Sequence, residues 1–200
     1  MAIKDALLPE FDHEMAQTRV TLERCAKEHF AFRPHEKSWM LGQLAMHLAT
    51  VPKWAFMTLT TDEIDFATLP APKYEEPAST AALLAEFDQN FASARAELAK
   101  ATDEQMAGTW TGRSGEVIHF SMPRVATMRT FVMNHMIHHR GQLTVYLRLT
   151  GAKVPDEAAA AALKKPPREF VEVWSLVRKL GAVTKPKNSG CPNCEAPFNG

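Results

Sequence analysis

The apolar positions of this chain fall into four long stretches at helical spacing. The first runs from about Ile3 to Phe30, with Leu7, Leu8, Phe11, Met15, Val20 and Leu22 on its stripe and Cys25 and Ala26 continuing it. Pro9 inside it reads as a kink or as its true start. The second runs from about Trp39 to Thr58, after a loop around Pro34, and is striped by Leu41, Leu44, Leu48, Val51 and Ala55. Ser38 is its expected N-cap, and Pro52 its expected kink or early stop. The third runs from about Ser79, as cap, to Lys100, along Leu83, Leu84, Phe87, Phe91, Ala94 and Leu98. The fourth runs from Pro123 to Thr150, along Val125, Met128, Phe131, Val132, His135, His139, Leu143, Tyr146 and Leu147, with Gly151 placed as a C-cap.

Between these stretches, 61–80 reads as loop. Residues 108–122 alternate as strands do, with Gly112-Arg113-Ser114-Gly115 as the turn of a short hairpin. Four amphipathic helices with two long connections predict an all-α protein, an antiparallel four-helix bundle over residues 1–152. Residues 153–200 form an extension. It holds a short helix over 168–180, with Phe170, Val171, Trp174 and Val177 to pack, and an expected mobile end rich in Pro, Asn, Gly and Lys.

Composition narrows the partners. Lys plus Arg and Asp plus Glu are both 23, for a formal net charge of zero. That balance argues against nucleic acid or an anionic membrane as partner. The basic residues from Lys164 to Lys187 are interrupted by Pro and apolar positions and read as a solvated face. No apolar signal core opens the chain, and no run approaches the ~18 residues of a membrane span, so the cytoplasm is the expected compartment. The three cysteines are too few and too scattered for a disulfide framework. Cys25 reads as a small buried apolar residue. Cys191-Pro-Asn-Cys194 lacks a second ligand pair nearby, so an exposed tail with incidental metal affinity is its expected role.

The chemistry concentrates in Asn134-His135-Met136-Ile137-His138-His139-Arg140-Gly141-Gln142. Four residues advance a helix by about 400°, so His135 and His139 share a face one turn apart, while His138 points elsewhere. His47, three residues after Leu44 and four before Val51, lies on the inward face of its own helix. Taken singly, each of these histidines reads first as a satisfied core residue. Together they are costly to bury with unsatisfied nitrogens, and a divalent ion on neutral imidazoles removes that cost. Three imidazoles also leave a position open, as catalytic rather than structural zinc sites do. Zinc, nickel or another first-row ion would suit the donors.

Gln142, on the same face, is a candidate to orient a ligand or a bound water. Arg140 is turned off that face and reads as a salt-bridge residue. Gly141 reads as a place for close helix approach.

The 134–142 run, together with Trp39-Met40-Leu41-Gly42-Gln43-Leu44-Ala45-Met46-His47-Leu48, resembles the signature of the DinB-like (YfiT-like) metalloenzyme family over about residues 5–152. The resemblance implies a bundle of up-down-down-up topology, frequent homodimers, and a metal, often nickel or zinc, held by His47, His135 and His139. It also implies thiol-dependent transferase or isomerase activity with a low-molecular-weight thiol as co-substrate. Relatives commonly stop soon after a Gly-x-x-Val-Pro stretch. Here Gly151-Ala-Lys-Val-Pro155 is followed by a further extension.

Hydrolysis would need a base beside a bound water, and the position next to the first histidine is Met136. No acidic residue is recognisable on an apolar face. Thiol transfer needs no protein base, because a metal lowers the pKa of a bound thiol. The expected function is therefore metal-dependent S-transfer or isomerisation on a small molecule. A non-catalytic, stress-linked binding bundle and a metal-dependent hydrolase are the alternatives.

Overall fold

The computed structural model describes residues 2–69 and 75–154. The expected helix over 168–180 and the Cys191–Cys194 pair lie outside the described residues. In chain order the elements are α1 (Ile3–Leu22), α2 (Leu41–Thr60), β1 (Glu63–Asp65), α3 (Thr80–Lys100), the short α4 (Asp103–Ala107), β2 (Thr109–Ser114) and β3 (Val117–Pro123). The last helix, α5, joins an α-helical turn Arg124–Thr127, a π-helical stretch Met128–Met133 and an α-helix Asn134–Leu149. The chain is thus mostly helical, with a small three-stranded sheet in the order β1-β2-β3.

Helix α3 packs against α1 and α2, and α5 packs against the same two. Phe11 and Met15 of α1, Leu48 of α2, Phe87 of α3 and Leu143 of α5 meet in one buried cluster. Burying each such side chain contributes about 1.5–3 kcal/mol of transfer free energy.

Hydrogen bonds tie the helix ends together. The Thr80 hydroxyl donates to the Cys25 carbonyl at 2.6 Å, and the Gly42 N–H donates to the Phe30 carbonyl at 2.9 Å. The starts of α2 and α3 therefore sit beside the end of α1. At the other end, the Ile3 N–H donates to Asp103 Oδ1 at 2.7 Å and Gln105 Nε2 to the Leu59 carbonyl at 2.7 Å. Helix α5 starts at that second end, where the Arg124 N–H donates to the Gly108 carbonyl at 2.9 Å.

Several expectations about boundaries are corrected. Helix α1 stops at Leu22 rather than Phe30. There the chain tightens through bonds from Arg24 N–H to Thr21 and from Cys25 N–H to Leu22, which turn Cys25 and Phe30 inward. It starts before Pro9 and runs through it, with Val20 on the exposed side. Pro52 likewise leaves α2 unbroken to Thr60. The N-cap of α2 is Met40, not Ser38. The Met40 N–H is satisfied by Gln43 Oε1 at 3.0 Å, whereas the Ser38 N–H closes a turn onto His35.

Within the expected loop 61–80, Glu63–Asp65 pairs in parallel with β2. The hairpin turns two residues later than expected, at 115–116. β2 runs on to Ser114 over an irregularity at Gly112/Arg113, and Gly115 takes the turn at φ +56°. Ser79 caps α3 as expected, accepting from Ala82 N–H at 3.1 Å. Gly151, at φ +74°, closes α5 as expected, with the Ala152 N–H bonded to the Leu147 carbonyl at 2.9 Å.

Candidate metal centre

The inward faces of α2 and α5 bring together the three histidines singled out in the sequence. His47 and His139 are buried, and His135 is partly buried. One ring nitrogen from each lies within 4.8 Å of the other two. His47 Nε2 and His135 Nε2 are 2.7 Å apart, and the ring centroids are separated by 4.4–4.9 Å. Among the described residues no carboxylate or thiol joins this group.

Two features make the cluster a fit for a metal rather than a satisfied core. His139 Nε2 is buried with no hydrogen-bond partner, while the other nitrogen of that ring, Nδ1, meets Gln142 Oε1 at 2.7 Å. The carboxamide oxygen accepts the Nδ1 proton, so the lone pair lies on Nε2, towards the other rings. Burial first, and then the neighbouring imidazoles, hold His47 down to about 2 and His135 down to about 3. Both are therefore neutral at neutral pH, the form that can donate to an ion. A tetrahedral zinc site has nitrogens roughly 3.3 Å apart, a spacing within the span these donors cover.

The surroundings were only partly legible. Trp39, to which the sequence assigned no role, stacks on His139 with 6.1 Å between centroids and 9° between planes, and meets His47 edge-on at 5.1 Å. It precedes α2 in non-helical chain, where no periodicity reports which way a side chain points. His138 is exposed, as helical geometry required, and meets His139 edge-on at 4.9 Å without entering the donor group. Met136 is fully buried. Arg140 pairs with Glu14 at 2.6 Å and is a salt-bridge residue as expected.

Two acidic residues do sit inside, against expectation. Glu14 is held by Arg140, and Glu10 is held by Arg129, in a pair where both side chains are nearly buried. Burial pushes Glu10 up while Arg129 pulls it back. Gly141 serves no close helix approach, since nothing among the described residues lies within 4 Å of where its Cβ would be.

The DinB family profile matches residues 2–166. Among curated proteins, YrdA of Bacillus subtilis (strain 168) is 29% identical over 155 residues, covering 76% of this chain and 85% of that protein. Among solved structures, a DinB-like protein from Bacillus cereus ATCC 10987 superposes with a TM-score of 0.61 at 22% identity, covering 78% of this chain and 97% of its own. The DinB-like protein YjoA of Bacillus subtilis gives a TM-score of 0.57 at 21% identity, covering 74% and 95%. These structures share the fold. With its profile matched over most of its length, this chain belongs to the DinB family.

Proposed function

We propose that the chain is a divalent-metal-dependent enzyme in which His47, His135 and His139 hold zinc or nickel, and that its reaction is S-transfer or isomerisation with a small thiol. The observation that carries the reading is the buried His139 Nε2, aimed at two neutral imidazoles and fixed in its tautomer by Gln142. Bound there, a divalent ion would lower the pKa of a thiol and keep it as the nucleophilic thiolate. The chain itself contributes neutral donors, a locked His139 ring, and an indole wall at Trp39 that keeps water from one side. Water activation has less support, because Met136 occupies the place of a base and Glu10 and Glu14 are engaged by arginines.

The arrangement of helix ends supports an up-down-down-up four-helix bundle. The exposed Ile137, Val145 and Leu149 on α5 support a homodimer through that face. No helix among the described residues is long and apolar enough to cross a membrane.

Elemental analysis of protein purified without chelator tests the first step, with about one divalent ion per chain expected. Calorimetry of the loaded protein with cysteine, glutathione and mercaptoethanol tests the second. Metal without thiol binding at it leaves a non-catalytic metal-binding protein, and no metal ends both readings.

A further inference from the structure

Next to the histidines lies a second apolar cluster, separate from the main core and built around buried Trp110 and Phe120 under the sheet. Helix phase places it. Trp54 is seven residues beyond His47 on α2, two turns along the same face. Phe131 is four residues before His135 on α5, about one turn earlier, inside the π-helical stretch Met128–Met133 that leads into the histidines. Both steps lead to the same cluster. The Phe131 ring stacks on Phe120 at 4.5 Å, and the Trp54 ring meets Phe66 at 5.9 Å. The cluster therefore lies along the α2–α5 seam beyond the donors, with Trp54 about 10 Å of helix rise from His47.

The way in is set by exposure. His47 and His139 are 1% and 3% exposed, whereas His135 is only partly buried. Of the three donors, His135 therefore offers the most open side to a ligand, and Phe131 is the aromatic side chain four residues before it on α5. Phe131 and Trp54 are both partly exposed, although each has a ring neighbour to pack on. Thr50, the polar side chain between His47 and Trp54, donates its hydroxyl to the His47 carbonyl at 2.9 Å and has no proton left to offer a ligand. A partner on this side would meet aromatic faces, with the Trp54 indole N–H as the donor among these side chains. Aromatic rings pair well at centroid separations of about 4.5–7 Å.

We infer that Trp54 and Phe131 form a specificity wall beside the metal. The wall selects a substrate or co-substrate with an aryl group two or three bonds from the atom that meets the ion. This rests on the three-histidine metal site proposed above, but not on the thiol chemistry.

The test uses the full chain loaded with cobalt(II), whose absorption reports ligands at the metal. Two pairs of probes share a head and differ by a phenyl ring: 2-phenylethanethiol against ethanethiol, and phenylacetohydroxamate against acetohydroxamate. The phenyl compound binds at least tenfold tighter in a pair that binds. Phe131→Ala and Trp54→Ala shrink that preference to within threefold while leaving cobalt content and the affinity for the small probe unchanged. In the zinc-loaded wild type, nuclear Overhauser contacts run from the probe's phenyl protons to the Trp54 indole, a readout that needs no variant to fold.

Equal affinities within either binding pair, a preference kept in both variants, or phenyl contacts elsewhere would overturn the wall. A phenyl preference in the hydroxamates with no thiol binding would uphold the wall and sink the thiol reading. Failure to bind cobalt would overturn both.

Discussion

Helix α5 buries polar groups on two sides, and the two sides solve the problem differently. Towards α1, Arg129 and Arg140 bury their heads against Glu10 and Glu14, so each charge has an opposite charge. Towards α2, His135 and His139 meet His47, so like meets like and a buried nitrogen is left over. Evenly matched buried charges close a structure. Three neutral donors converging on one point, with a fourth group fixing one of them from behind, leave a place for something else. The first interface is complete in itself, whereas the second leaves three donors that a ligand would complete.

The sharpest way to break this contrast is to delete a donor. His139→Ala should take metal content from about one per chain to below a tenth by elemental analysis, with the circular-dichroism spectrum unchanged. An Arg140→Met chain should keep its metal, and equal losses in both would erase the distinction between the faces.

Next in size is the other face. Arg129→Met leaves Glu10 buried without its partner and should cost about 3–5 kcal/mol in urea unfolding. Arg129→Met with Glu10→Leu should recover most of it, whereas a single-variant loss under 1 kcal/mol would mean that the pair is not dry.

Gln142→Leu should leave stability alone and weaken metal binding about 10–100-fold by competition with a chromophoric chelator, since Gln142 acts only through His139. An unchanged affinity would show that His139 keeps its orientation without it.

Smallest per step is the acid response of the metal-free chain. His47 and His135 titrate well below their ordinary 6.5, so they bind fewer protons folded than unfolded. Their contribution is complete above about pH 6.5 and is lost as the pH falls towards 3 for His135 and 2 for His47, at no more than about 1.4 kcal/mol per pH unit for each ring. Urea midpoints at pH 7, 6 and 5 should fall in wild type and fall less in His47→Ala. A flat wild-type profile would mean that the rings are hydrated.

The donors could be read in the sequence because period and spacing decide them: His135 and His139 are one turn apart, and His47 interrupts a leucine stripe. The long helices were legible for the same reason. Three features were not. Glu10 and Glu14 look like surface acids, because the arginines that hold them lie more than a hundred residues later. β1 is three residues long and exists only through its pairing with β2. The break after Leu22 is hidden because Cys25 and Phe30 are as apolar as a continuing stripe would be, yet they reach the core through a tightened turn.

The π-helical stretch Met128–Met133 carries one further consequence. Its wider turn is spare length between the sheet-anchored start of α5 and the histidines that follow. If the stretch closed to ordinary pitch with all its residues kept, each step would turn about 100° rather than roughly 80°, and everything beyond would swing by about 100°. His135 and His139 would then look away from His47 with no residue of the site altered. In this helix a single codon's worth of slack sets the aim of the donors.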